Sequence, residues 1–511
     1  MSIKILESIK ILEFKGSDFL KGLALQARLP YGGLWKIFQG IDPFEQIGVA
    51  LPSLSPSPVS TGTSVKFLKS FDVSGTGYLF GQSDTKLYEI LKDSPFTVTD
   101  RTAQIFQGSI TGTPDTILGS IMWQSSTAKK YIYAFKTSTN NYYVHSTTAT
   151  TPPASDTNIT PSGYGQSGID FAPMCVGANG ALYLGSYGGV YIITSDSGTS
   201  GNTIAGLIDP SFTVRSLVND GRYLVILADN NSASNSGRVP GRYRCRVYFW
   251  DMVKMQSNGT TINPDVVYDI EDSYWIAGAY LDGGVYLFGY NGLYVCSAGT
   301  PPKMIRPFVG SSDYTIARPA NPSQITANKG SIFWLDGTSP AVDGNIYAYG
   351  SPLSGQQKIF YNPYYNPNSS QTLGALTAVG STFFASDDTP QILVYNTGTT
   401  RGSCRLVPAT QPLENQFKFD FTKVVLSAPL SSGQTVSHSA ISQTSTTVSA
   451  SETKSYSASN PKQVLKFDRK GTGATNERFE ELQPSIITAG GAGVQKLVVY
   501  GTPQEDANAN L

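Results

Sequence analysis

The chain is expected to be all-β: a seven-bladed β-propeller with an N-terminal extended arm and a C-terminal β-sandwich. Three observations carry this expectation: composition, length and a hairpin that recurs along the chain. Charged residues are 14% of the 511, while Gly (51), Tyr (29) and Phe (24) are abundant. Soluble domains usually carry roughly 25% charge, and aromatic-rich, Gly-rich sequence suits short strands better than helices. A chain of this length exceeds one ordinary hydrophobic core, so it divides into domains or closes on itself as a repeat.

The repeat is clearest in "DGGVYLFGYNGLYVCSAG", Asp282 to Gly299, where two apolar runs flank a Gly-Tyr-Asn-Gly turn. Relatives begin at Gly75, Lys129, Asn179, Asp220 (its second half "RCRVYFWD" follows an insertion), Lys329 and Val379, making seven copies. Between hairpins lies one more apolar run, such as "TILGSIMW", "FAPMCVGA", "SYWIAGAYL" or "LGALTAVG". The spacing of roughly 40–60 residues is that of propeller blades of about four strands. A blade packs between two neighbours, so its middle strands need near-continuous apolar runs instead of strict alternation. Tight hairpins take Gly and Asn because they require positive φ. The quoted stretch is therefore read as the two middle strands of one blade. Separate β-sandwiches would also space strands regularly, but the likeness among the hairpins and the lack of long linkers favour a ring over residues 61–410. Asn231 to Gly237 reads as an extended hairpin tip in the fourth blade, and Thr147 to Ser162 as a surface connection between the second and third.

The two ends differ from the middle. Residues 1–60 begin with a direct duplication, Ser2–Glu7 and Ser8–Glu13, whose Lys4, Glu7 and Lys10 spoil it as a signal-peptide core. Ser17 or Asp18 would cap a short amphipathic helix with Leu20, Leu23, Ala24 and Ala27 on one face, stopped before Pro30. Trp35, Phe38 and Phe44 then stand among Pro and Gly, which reads as an arm laid over its own propeller or over a neighbouring subunit. From residue 411 to 511 the composition shifts, and alternating polar and apolar residues from Pro412 to Pro503 suggest half-exposed antiparallel strands of a sandwich.

The arm "GGLWKIFQGIDPF", the aromatic-rich propeller and the terminal "KVVLSAPLSSGQTVS", "LKFDRK", "LQPSI" and "VQKLVVYG" resemble virion structural proteins of tailed bacteriophages. The likeness is to propeller-bearing tail proteins, among them the nozzle of short-tailed phages. It covers most of the chain and is one of pattern and module order. It implies a virion tail protein, assembled in the host cytoplasm, that self-associates in a sixfold ring around a channel conducting DNA. It also implies contact with other tail proteins and with the host surface.

Chemistry is sparse. The 37 basic and 37 acidic residues balance, which argues against a large nucleic-acid footprint and is compatible with DNA passing without sequence recognition. Cys175, Cys245, Cys296 and Cys404 are scattered and read as buried free thiols. His145 and His438 lack a second histidine at metal-ligand spacing, and no Gly-x-Ser-x-Gly elbow is present. The adjacent carboxylates Glu271-Asp272, Asp387-Asp388 and Glu480-Glu481 point to opposite faces when on strands, so they read as solvated turn or edge residues and not as glycosidase pairs. No catalytic residue, metal site or cofactor is expected. The densest basic stretch, "GRVPGRYRCR", offers Arg238, Arg242, Arg244 and Arg246 as a contact loop for DNA phosphates or an acidic partner, against a plain solvated hairpin edge. A carbohydrate-binding or receptor-recognition propeller is the alternative function, since aromatic faces can stack on sugars.

Overall fold

Seven four-stranded antiparallel sheets follow one another along the chain, over residues 67–100, 114–158, 174–207, 213–270, 275–307, 325–364 and, for the last, 373–395 with 57–60. The computed structural model describes residues 9–15, 18, 35–41, 50, 53, 56–126, 128–165, 171–230, 245–254, 264–308, 318–335, 346–351, 358–364, 373–387, 389–395, 401–408, 411–442, 447–468 and 479–503. The first strand of each sheet is innermost: Phe67–Val73, Pro114–Gln124, Met174–Val176, Thr213–Asn219, Trp275–Leu281, Ile325–Asn328 and Leu373–Val379. These strands touch in sequence order, and the last touches the first. The fold is a closed seven-bladed β-propeller.

Each recurring hairpin supplies the two middle strands of its blade, as the burial argument requires. Leu182–Ser186 and Gly189–Ile193 are buried at every position, whereas the outer strand Val266–Ile270 alternates. In the quoted copy the middle strands are Gly284–Gly289 and Gly292–Ser297. The positive-φ pair lies one turn earlier, at Asp282 (47°) and Gly283 (81°), where a two-residue turn joins inner to middle strand. The Tyr290–Asn291 turn is held instead by Asp272, whose carboxylate accepts the Asn291 N–H at 3.2 Å and the Tyr294 hydroxyl at 2.8 Å.

Apolar clusters fill the gaps between blades. Val65, Leu68, Leu79, Tyr88 and Ile90 of the first blade pack on Ala375, Phe384, Ile392 and Val394 of the last. Between the third and fourth, Trp250 lies so close to Gly206 that a Cβ there would sit 2.2 Å from the ring. Polar side chains tie neighbouring blades as well. Asp84 accepts the Ile117 N–H (3.0 Å), Asp229 the Trp275 N–H (3.0 Å), and Asn202 donates to the Ile159 carbonyl (2.9 Å). Such bonds satisfy backbone groups that the blade ladders leave over at the seams.

The N-terminal arm is laid over its own chain. Its three strands, β1 (Ile9–Lys15), β2 (Trp35–Gln39) and β3 (Ser57–Ser60), join three different parts of the molecule. Strand β1 pairs antiparallel with Val494–Pro503 at the edge of the C-terminal domain. Strand β2 pairs antiparallel with Cys404–Pro408 and makes a parallel bridge, Gln39 to Asn362, to the sixth blade. Strand β3 is the fourth strand of the seventh blade, with Val59 opposite Ile392. The expected helix falls outside the described residues except for Asp18, which accepts the Trp35 indole N–H through its carbonyl (2.7 Å).

The C-terminal domain is a two-layered β-sandwich. Thr447–Ser455, Thr435–Ser442, Phe479–Ala489 and Cys404–Pro408 form one layer, while Val494–Pro503, Val464–Asp468 and the long strand Gln411–Leu426 form most of the other. Cys404–Pro408 already belongs to this sheet, so the propeller's last strand ends at Tyr395, ahead of the expected boundary. One apolar cluster runs from Val424, Val436 and Leu497 of the sandwich through Phe14 and Trp35 to Phe288 and Trp334 of blades five and six. Thr147 to Ser162 also differs from expectation: it includes Thr157–Asn158, the outer strand of blade two.

Ring closure is the testable element. Val59→Pro removes a backbone N–H from the β3 ladder, and the expected loss is about 1–3 kcal/mol. Amide hydrogen exchange should accelerate at Gln391–Tyr395; unchanged protection there would mean that blade seven holds without its fourth strand.

Candidate functional site

The inner strands of the propeller surround an axial cavity of about 320 Å3. Lys69, Ser120, Met174, Arg215, Ser216 and Tyr280 line it from the inner strands of five blades. No aspartate or glutamate is among the described lining residues. Arg215 leans back on Asp229, with Nε at 3.1 and 3.2 Å from its two carboxylate oxygens. Asp229 is fully buried. Lys69 makes no comparable contact among the described residues, and burial lowers its pKa below the ordinary lysine value. The sequence reading missed this residue: a single lysine in "FLKSFDV" looks like the solvent side of a half-exposed strand.

The residues singled out from sequence lie elsewhere. Trp35 is completely buried in its own chain, 5.4 Å from Phe14 ring to ring, so it is not exposed for a neighbouring subunit. The side chain of Phe38 and all of Phe44 fall outside the described residues, as do Arg238, Arg242, Arg244 and the 231–237 tip. Arg246 bonds Asp269 (2.6 Å) and approaches Asp209 (3.4 Å), with its guanidinium over the Phe212 ring. Two carboxylates therefore already answer its charge, which makes it a poor phosphate contact. Glu271 and Asp272 lie in the connection between Val266–Ile270 and Trp275–Leu281; Glu271 is exposed, but Asp272 is buried and not the solvated residue expected, because it holds the Tyr290–Asn291 turn. Asp387 is buried, and its carbonyl accepts the Ser64 hydroxyl at 2.9 Å across the closing seam. Asp388 and the side chains of Glu480 and Glu481 are outside the described residues.

Both histidines are buried and structural in setting. His145 Nδ1 lies 2.9 Å from Asp156, which also accepts the Tyr133 hydroxyl and the backbone N–H groups of Phe106 (2.7 Å), Gln107 (2.8 Å) and Gly108 (3.1 Å). Burial opposes the charge on Asp156, but the bonds from His145, Tyr133 and the backbone outweigh it and hold the carboxyl below its usual pKa. His438 lies between the Phe419 and Phe467 rings, with centroids at 6.0 and 5.3 Å. Neither of its nitrogens has a hydrogen-bond partner among the described residues. Burial pushes its pKa down to about 4, against a weaker upward pull from Glu452 on the adjacent strand. All four cysteines are free and buried; burial raises Cys175 and Cys296 to about 12 and Cys404 to about 11, and raises Cys245 also. Such thiols are unreactive.

Two stability changes follow. The unfolded chain protonates His438 near its ordinary value of 6.5 while the folded chain resists to about 4. Stability therefore falls as pH drops from about 6.5 through 4, by about 3 kcal/mol. His438→Phe should flatten that fall, read as denaturation midpoints at pH 7 and 4.5. Asp156→Ala should cost about 3–5 kcal/mol, because it strands three N–H groups and His145 at once; a melting shift of only a degree or two would contradict this.

No family model matches the chain, and no curated protein sequence is similar to it. Solved structures resemble it in part. Virginiamycin B lyase from Staphylococcus aureus aligns at 11% identity over 66% of this chain and 98% of its own, with a TM-score of 0.44. BBS1N, crystallised with ARL6DN, aligns at 10% over 68% and 97%, with a TM-score of 0.43. The PQQ-bound aldose sugar dehydrogenase of Streptomyces coelicolor aligns at 11% over 61% and 99%, with a TM-score of 0.36. At that distance nothing about activity passes from them to this chain.

Proposed function

We propose that the chain is a non-enzymatic structural protein of a bacteriophage tail, a nozzle or tail-tip subunit that assembles in a ring around the path of ejected DNA. The observation that carries this reading is the bracing of the molecule from end to end. Strand β1 is built into the sandwich, β2 spans sandwich and sixth blade, and β3 locks the seventh. A subunit tied in this way transmits load without hinging, which suits a part that holds a fixed diameter. The side chains with chemical potential support the same reading, since His145, Asp156 and Asp272 are engaged in holding backbone in place.

On this reading the DNA path is the opening between subunits. The propeller's own axis holds a cavity of about 320 Å3, the scale of a small-ligand site and far too small for a duplex whose major groove alone is about 12 Å wide. A glycan-binding surface would want neighbouring exposed aromatic faces. Among the described residues, the exposed tyrosines Tyr187, Tyr280 and Tyr456 belong instead to the third blade, the fifth blade and the sandwich.

Light scattering of the full-length protein, followed by electron microscopy, tests the proposal. The expected result is a discrete ring, sixfold by the family likeness, alone or on addition of tail components. A monomer that never joins a tail particle, coupled with saturable binding on a glycan array, would overturn it.

A further inference from the structure

We propose that the axial cavity of the propeller binds a small organic anion, with its carboxylate held by the Lys69 ammonium and its apolar body against the surrounding strands. The inference is independent of the ring reading and rests on the contents of the cavity.

Two cationic side chains line the described part of the cavity, and no carboxylate does. Arg215 is answered by Asp229, which is buried behind it and also accepts the Trp275 N–H at 3.0 Å. That pair is neutral and fixed. Lys69 is different: it stands on the same face of its strand as Phe67, both line the cavity, and no counter-charge reaches it among the described residues. A half-buried ammonium in the cavity without a partner carries a desolvation cost, and a bound anion offsets that cost by supplying the missing charge. The depressed pKa of Lys69 expresses the same cost.

The rest of the lining sets the kind of anion. Phe67, Leu118, Met174 and Leu217 present apolar surface. Ser216 Oγ accepts the Gly278 N–H at 3.0 Å, which leaves its own hydrogen free to donate into the cavity. One charge, a hydroxyl donor and apolar walls match an organic monoanion better than a multiply charged phosphate. The volume of about 320 Å3 falls at the lower end of small-molecule sites, ~300–1,000 Å3.

The test uses the full-length protein with benzoate and inorganic phosphate as probes, read by calorimetry and thermal melting. Benzoate should bind saturably, one per chain, and raise the melting temperature. Lys69→Met should weaken it by about ten- to a hundredfold, and Lys69→Arg should retain it. Lys69→Met should also melt cooperatively and no lower than the unliganded wild type, because it removes an unpaired charge; this separates loss of binding from loss of fold. Affinity should fall as pH rises through the lowered pKa of Lys69, since only the ammonium holds an anion. Absence of saturable benzoate binding would overturn the proposal. So would equal affinity in wild type and Lys69→Met, or phosphate binding more tightly than benzoate.

Discussion

Closure of the ring by β3 is the constraint on which the rest of the molecule depends. A blade has two apolar faces, and each must be covered by a neighbour. Seven blades in an open row would leave the first and last bare, with Leu79 and Ile90 at one end and Ile392 and Val394 at the other. Strand β3 pairs with Gln391–Tyr395 inside the seventh blade's sheet, and the chain then runs from Ser60 to the first blade at Phe67, so backbone ties those ends together. The enclosed chain is long, but the entropy of closing a loop grows by only ~0.6 kcal/mol per doubling of its length. Burying one large aliphatic side chain returns ~1.5–3 kcal/mol, so a few residues at the seam outweigh the cost of bringing the ends together.

The same N-terminal segment joins propeller to sandwich before it reaches the ring. Trp35 is the hinge of this arrangement in the sense of packing, not motion: its ring is fully buried, its indole N–H is bonded, and its strand pairs on two sides. The apolar cluster between blades five and six is thereby continuous with the sandwich core. A shared core resists sliding far better than a polar domain interface, so the two lobes behave as one body. An N-terminal truncation would therefore remove structural strands from both lobes, which makes it unsuitable for asking what the segment does between subunits.

How much of this could be read from the residues depended on how many neighbours each strand has. Middle strands such as Leu182–Ser186 are covered on both faces, so their composition alone marks them. Outer strands are not, and β3 is four residues with a proline, "SPVS", that no periodicity distinguishes from a linker. Aromatics among Pro and Gly look exposed, yet Trp35 is buried because a strand added to an existing sheet needs no apolar run of its own. Asp156 sits in a Ser/Thr/Pro-rich stretch that reads as surface connection; the backbone donors that draw it inward lie almost fifty residues earlier, at Phe106 to Gly108. Arg246 reads as a free charge until Asp209 and Asp269 are seen beside it. Lys69 illustrates the general difficulty. Alternation says only that a residue faces away from its neighbours, and in a closed ring the face opposite the blade seam can be the axis instead of bulk water.

The closed axis also constrains how such a protein could serve a DNA channel. Inner strands touch around the whole ring, and the axial cavity bounded by the described residues is of small-molecule size, well below what a duplex needs. If the chain serves a DNA channel as proposed, the wall would be outer surfaces of several copies, with a diameter set by how subunits meet. The wall so formed comes from a chain of zero net charge, 37 basic against 37 acidic residues. Each phosphate neutralised by a basic side chain releases counterions and adds affinity, so a strongly basic wall would retain a duplex that has to move. The Arg246 pairing with Asp209 and Asp269 works in the same direction, because a guanidinium already matched by carboxylates has little left to offer a passing phosphate.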